Sequence, residues 1–330
     1  MHNVLIILNQ VLIMGLIAAG GFTLVRLKKF DPQLSRSISN LLLYIVAGCI
    51  ILNALQRDFN PHEARGLAVA FMLALLSYLI CILGAHLIFR NRKGNPNAGI
   101  ERFALVMPNA GYIGIPLVQA VLGTDGVFYL TAYIVCFNLL LFSYGRTQLL
   151  LDGFSQGRGA PVQLLSRETV MKSLINPATL CTALGLILYF ARIRLPSFLL
   201  GAVKNYADVN TVLSMLLIGV FLSQTSLKSL LHFGRGFLIC FVRLIALPLF
   251  CMLAIALVDI RALVPDPYTV KTAMVIAATT PCGVATAFMS EVCGADHLYG
   301  SRLVCASTIL SVLTLPLMLL LWEFLFPLFC

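Results

Sequence analysis

The stretch Met107-Pro108-Asn109-Ala110-Gly111-Tyr112-Ile113-Gly114-Ile115-Pro116 lies in an apolar run but cannot continue as one regular helix, and Thr279-Thr280-Pro281-Cys282-Gly283-Val284-Ala285-Thr286 repeats the situation later in the chain. Proline removes a backbone donor and clashes with the preceding turn, so each stretch predicts an interrupted helix. Both run into a Gly-x-Asp corner, Gly123-Thr124-Asp125 and Gly294-Ala295-Asp296; 294 − 123 and 296 − 125 both give 171, about half of the 330 residues. Two interrupted apolar segments at corresponding places in two halves of a chain mark the binding site of many membrane carriers. The pattern therefore points to transport.

Composition supports a membrane setting. Hydrophobic residues make up 60% and charged residues 11% of the chain, whereas soluble domains carry about 25% charged residues. The apolar runs are about 18 to 25 residues long, which suits spanning helices rather than barrel strands. Although the net charge is +10, the basic residues fall in short clusters between apolar runs, where they set orientation rather than bind nucleic acid. The run from Val4 to Arg26-Leu27-Lys28-Lys29 lacks a basic leader and a small-residue cleavage site, so it reads as a first transmembrane helix. The ten cysteines are scattered singly and read as small hydrophobes. Nothing resembles a His-x-x-x-His metal pair, a Gly-x-Ser-x-Gly elbow or a phosphate loop, so neither enzyme activity nor a cofactor or metal is expected.

Ten spans are predicted, at 3–26, 38–55, 66–89, 103–122, 127–145, 174–191, 209–224, 236–258, 272–291 and 303–326. The fold class expected is an all-α polytopic membrane protein. Residues 1–151 form a first five-helix repeat, 152–173 a cytoplasmic linker inside the long connection 146–173, and 174–330 a second repeat. An odd number of spans per half makes the second copy enter the membrane from the opposite side, so the repeats are inverted. Alternate loops collect 15 and 7 Lys or Arg residues, with Arg243 inside a span, which accounts for all 23. By the positive-inside rule the 146–173 connection is cytoplasmic and both termini are not. The expected location is a plasma membrane, the bacterial inner membrane.

Asn109-Ala110-Gly111-Tyr112-Ile113-Gly114-Ile115-Pro116-Leu117-Val118, Asn176-Pro177-Ala178-Thr179-Leu180, Ser214-Met215-Leu216-Leu217-Ile218-Gly219, Pro281-x-Gly283 and Ser307-Thr308-Ile309-Leu310-Ser311-Val312-Leu313-Thr314-Leu315-Pro316, in this order and spacing, resemble the auxin efflux carrier family of organic-anion carriers. The resemblance implies a scaffold of helices 1, 2, 6 and 7, a mobile transport domain of helices 3–5 and 8–10, broken helices 4 and 9 crossing near the membrane centre, elevator-like movement and a homodimer. The chain departs from the family in carrying Gly48 and Val212 where Pro is common in helices 2 and 7, which predicts straighter helices there, and Ala285 where Asn is common after Pro-x-Gly. The small pair Ala47-Gly48 is a candidate for close helix approach at a dimer surface.

The chemistry of the breaks follows from unpaired backbone. Amides and carbonyls freed in hydrocarbon need a polar partner, and half-helix amino termini, restarting after Pro116 and Pro281, favour a carboxylate. Asn109 is the leading candidate because its amide donates to a carboxylate. Gly111, Gly114 and Gly283 permit close backbone approach. Tyr112, Pro116, Pro281 and Thr286 complete the expected set, with Arg243, Asn138 and Thr280 as secondary candidates. Arg243 either neutralises an anionic substrate or organises the transport domain through backbone carbonyls. Asn53 and Asn138 both read as interhelical glue ahead of ligand, and Glu291 as a residue in water at a span end. The function expected is secondary transport of a small mono- or dicarboxylate such as malate or malonate. Alternatives are an aromatic weak acid, auxin-like, and a receptor that kept the fold without turnover. Membrane lipid and a small organic anion are the expected partners.

Overall fold

A computed structural model describes residues 2–31, 34–89, 94–155, 177–224 and 233–329. Among them there is no strand, and helix accounts for nearly everything. The outward face is apolar, with Leu16, Phe250 and Leu313 75%, 63% and 71% exposed, as a protein solvated by lipid requires. The cysteines of these residues are all free, and most are buried.

The first half begins with α1 (His2–Arg26), α2 (Leu34–Leu41), α3 (Ala47–Leu55) and α4 (Pro61–Ile88), and a π turn at Leu42–Val46 joins α2 to α3. It continues with α5 (Ala98–Val106), α6 (Ile115–Leu140) and α7 (Arg146–Ser155), with π turns at Ala110–Gly114 and Leu141–Gly145 on either side of α6. The second half holds α8 (Pro177–Phe190), α9 (Ser197–Asp208), α10 (Asn210–Gln224), α11 (Gly234–Phe241), a π turn at Val242–Ala246, α12 (Leu247–Leu257), α13 (Pro267–Thr279), α14 (Ala285–Val292) and α15 (His297–Phe329). Helix α1 packs along α10, α3 along α8, and α6 against both α4 and α13.

Local chemistry sets the helix starts. Asn60 caps α4 by accepting from His62 N at 2.9 Å, with Pro61 as first residue. Asp266 caps α13 in the same way, accepting from Thr269 N at 3.1 Å ahead of Pro267. Proline is favoured there because the amide it lacks would have no partner. The start of α5 is capped from a distance: Asp152 on α7 accepts from Gly99 N and Ile100 N, both at 2.9 Å. A carboxylate thus sits on the positive end of each half-helix that leads into a break, α5 and α13. Both expected corners have left-handed glycine backbone, Gly123 at φ 68° and Gly294 at φ 71°. Such conformations favour a residue without Cβ.

Among the described residues, seven stretches are long and apolar enough to cross a membrane, fewer than the ten predicted, for identifiable reasons. Spans 4 and 5 merge into the 46-residue stretch Ala110–Ser155, bent at Gly123. Span 9 is cut into α13 and α14, neither long enough alone. Of span 6, Thr179–Phe190 forms a shorter apolar helix, and residues 174–176 lie outside the described residues, as do 156–173 of the long connection.

Other expectations are corrected. The start of the 146–173 connection is helical, as α7. Residues 197–208, read as a loop, form α9, which has no buried residue. The second helix is not regular, since its π turn lies just ahead of Gly48. Gly48 is buried within the fold and Ala47 lines an internal cavity, so this pair offers no free surface for a dimer. Arg102 and Lys271, counted as loop cations, are helical and buried.

Candidate functional site

The two breaks meet. Pro108 and Cys282 pair as an isolated antiparallel bridge, with Asn109 N donating to the Pro281 carbonyl at 2.9 Å and Gly283 N to the Met107 carbonyl at 2.8 Å. The unwound backbone thus satisfies much of its own hydrogen-bonding need, which hydrocarbon would leave unmet at several kcal/mol per group. Ser307 Oγ on α15 accepts from Cys282 N at 3.2 Å.

Carbonyls at the ends of the incoming half-helices converge on one side chain. Arg243, completely buried, donates to Leu105 O at 3.0 Å, Ala278 O at 3.1 Å and Thr280 O at 2.8 and 3.2 Å. No carboxylate pairs with it among the described residues. These contacts are those of an organiser of the broken helices, with a cation at the negative ends of α5 and α13.

Beside the crossing lies a cavity of about 80 Å³. Its walls come from both breaks, from α2, its π turn and α3, and from the end of α6; Asn109, Gly111, Tyr112, Gly283 and Asn138 of the expected residues line it, together with Ser39, Val284 and Ala285. No Asp, Glu, Lys or Arg is in the lining. Asn109 Nδ2 and Asn138 Nδ2 are both buried and have no hydrogen-bond partner. An unmet buried donor costs about 1–3 kcal/mol, and both belong to residues of this cavity wall.

The backbone adds donors. Ile113 N and Gly114 N both donate to the Asn109 carbonyl, at 3.0 and 3.1 Å. The helical path therefore restarts at Ala110, ahead of the expected restart after Pro116, and the first amides of a helix have no carbonyl within it. Gly111 and Tyr112 belong to this first turn, while Val284 and Ala285 open α14 on the other wall. Two helix amino termini thus border the cavity.

The remaining expected residues lie behind the wall. Pro116 is buried in the first turn of α6. A Cβ on Gly114 would meet Thr280 Cγ2 at 3.5 Å. Pro281 contributes its carbonyl to the crossing. The hydroxyls of Thr279 and Thr280 donate to Ile276 O at 2.8 Å and Ala277 O at 2.7 Å within their own helix. Thr286 is buried with its Oγ1 unpartnered, outside the cavity lining. Glu291 is exposed at the end of α14.

Several contributors escaped the sequence reading. Asn210 Nδ2 on α10 donates to Gly111 O at 3.2 Å, and Ser214 Oγ to Tyr112 O at 3.4 Å. These two bonds hold the Ala110–Gly114 turn from outside. All four π turns bear on the site: Leu43, Tyr112 and Leu141 line it from three of them, and the fourth carries Arg243. Such turns recur at functional positions. Glu101 in α5, fully buried, joins Arg235 on α11 at 2.6 and 2.9 Å and Tyr299 on α15 at 3.0 Å. The charge at Glu101 is therefore matched away from the cavity.

These features define a polytopic helical membrane protein with a mostly apolar cavity, carrying a few polar groups, at the meeting point of two broken helices. A model of the family described as Membrane transport protein matches residues 6–319. The chain belongs to this family, the auxin efflux carrier group of membrane transporters. No curated protein matches the chain in sequence. Family members are transporters, not enzymes.

Proposed function

We propose that this protein is a secondary carrier of a small organic anion, a mono- or dicarboxylate of the size of malonate or malate, bound in the cavity at the crossing. The observation that carries the reading is the pair of unpartnered buried amides, Asn109 Nδ2 and Asn138 Nδ2, in a cavity with no acidic lining. Carboxylate oxygens meet both donors and the helix amino termini at Ala110 and Ala285, and require no lysine at the site.

In this reading the chain has ten spans in two inverted repeats, 1–151 and 174–330. Support comes from the paired left-handed glycines and the mutual pairing of the two breaks. Of the ten predicted spans, 1, 2, 6 and 7 form the scaffold of a homodimer in the bacterial inner membrane, with both termini outside the cytoplasm. Spans 3–5 and 8–10 slide past it. The bonds from Asn210 and Ser214 to the Gly111 and Tyr112 carbonyls join the two parts and must exchange when the mobile part moves.

The test is flux of radiolabelled short carboxylates in proteoliposomes under controlled membrane potential and proton gradient. Saturable flux is expected from the wild type, with Asn109→Ala and Asn138→Ala each lowering it at least tenfold. Binding without flux in the wild type would instead favour the receptor reading. Flux unaltered in both variants would move the site elsewhere.

A further inference from the structure

Arg243 presents a buried positive charge that the hydrogen-bond pattern leaves electrically open. Its partners are Leu105, Ala278 and Thr280 carbonyls and, at 4.0 Å, the Cys81 sulfur; none is a carboxylate. The other buried cations differ in place. Arg102 donates to Phe89 O at 2.8 Å and Lys271 to Ala256 O at 3.2 Å, the first near the end of α4 and the second near the end of α12. Both are set back along α5 and α13 from the crossing. Glu101 and Arg235 cancel each other.

The charge at the crossing can be summed. The negative ends of α5 and α13 contribute about −0.5 each, and the positive ends of α6 and α14 about +0.5 each. These four cancel, leaving Arg243. Its hydrogen bond to Thr280 O, three residues before Gly283 in the cavity wall, places it within about 15 Å of that wall by chain reach. That is inside the range of weakly screened Coulomb attraction in a buried setting. The sum is +1 when the cavity is empty, zero with a monoanion and −1 with a dianion.

We propose that Arg243 is the resident counter-charge of the cargo, so that, of the mono- and dicarboxylates proposed above, the site selects one presented with a single negative charge over the dianions that malate and malonate form at neutral pH, and the loaded crossing is electrically neutral. Its bonds to both incoming half-helices fix it to the crossing, so the charge follows the site in whatever motion exposes it to either side. The voltage-sensitive step is then the return of the empty carrier. This inference rests on the carrier reading above.

The measurement is flux in proteoliposomes with the potential set by a potassium gradient and valinomycin. For a monocarboxylate, exchange of labelled against unlabelled substrate is expected to change less than twofold between zero and 100 mV. Net efflux, which includes the empty return, should accelerate with an inside-negative potential, up to about 50-fold at 100 mV if one full charge crosses the whole field. A dicarboxylate held as a dianion should bind at least tenfold more weakly than its monoester. Arg243→Gln, which keeps amide donors but loses the charge, should make exchange voltage-sensitive; Arg243→Lys should not. If Arg243→Gln does not fold, the wild-type comparison decides alone. Exchange as voltage-sensitive as net efflux, or equal affinity for dianion and monoester, would overturn the inference while leaving the carrier reading intact. Absence of flux with every carboxylate would remove the carrier reading and this inference with it.

Discussion

Arg243→Met should leave little folded protein in the membrane, the largest single-residue effect expected. Methionine approximates the length of the arginine stem but has no donor, so three buried carbonyls, at Leu105, Ala278 and Thr280, lose the partner they share. Each unmet buried group costs about 1–3 kcal/mol. The sum is comparable with the whole stability of an ordinary domain, about 5–15 kcal/mol. Removing the charge relieves a burial cost, but the carbonyl ends of α5 and α13 then face each other without a cation. Arg243→Lys should be intermediate, because an ammonium keeps the charge yet cannot span the carbonyls with a planar fork. Thermal unfolding of the purified variants in detergent checks the ranking of wild type over Lys over Met. Equal stability of wild type and Arg243→Met would show that the carbonyls find other donors.

Gly283→Val should abolish transport while sparing most of the fold. A Cβ at this position would lie 3.0 Å from Pro108 O and 3.1 Å from Met107 O, both backbone atoms of the opposing break, which cannot swing aside as a side chain does. Valine adds two methyl groups beyond that Cβ. The strands of the crossing must therefore separate, which strains the bonds Gly283 N to Met107 O and Asn109 N to Pro281 O. Overpacking of this kind costs about 1–3 kcal/mol, tolerable for the protein as a whole. The function is more sensitive, since Asn109 and Gly283 share the cavity wall and misplacement by an ångström can cost 100-fold in a positioned site. Flux in proteoliposomes, with a stability measurement beside it, tests this. Normal flux from Gly283→Val would mean that the crossing is not part of the transport path.

The breaks were legible in the sequence because Pro and Gly act locally: Pro108, Pro281 and the positive-φ corners at Gly123 and Gly294 need no tertiary information. Arg243 was visible as a charge in an apolar run, but its partners lie on α5 and α13, remote in sequence, so its role needed the fold. Arg102, Glu101 and Lys271 were assigned to loops because hydropathy treats any charge as a boundary. The capping pair Asp266-Pro267 was the signal that α13 begins ahead of Lys271, as Asn60-Pro61 was for α4. Helix α9 was missed because Lys204, Asn205 and Asp208 give it the polarity of a connection. The π turns and the bonds from Asn210 and Ser214 arise from packing and leave no mark on periodicity.

The central claim is that Asn109 and Asn138 hold an anionic cargo at the crossing, and equilibrium binding of a radiolabelled short carboxylate to the purified protein tests it most directly. Saturable binding is expected from the wild type. Asn109→Leu and Asn138→Leu should each weaken it at least tenfold, about 1.4 kcal/mol, whereas Thr286→Val, outside the cavity lining, should leave it within twofold. Undiminished affinity in both asparagine variants, with the fold intact, would contradict the account.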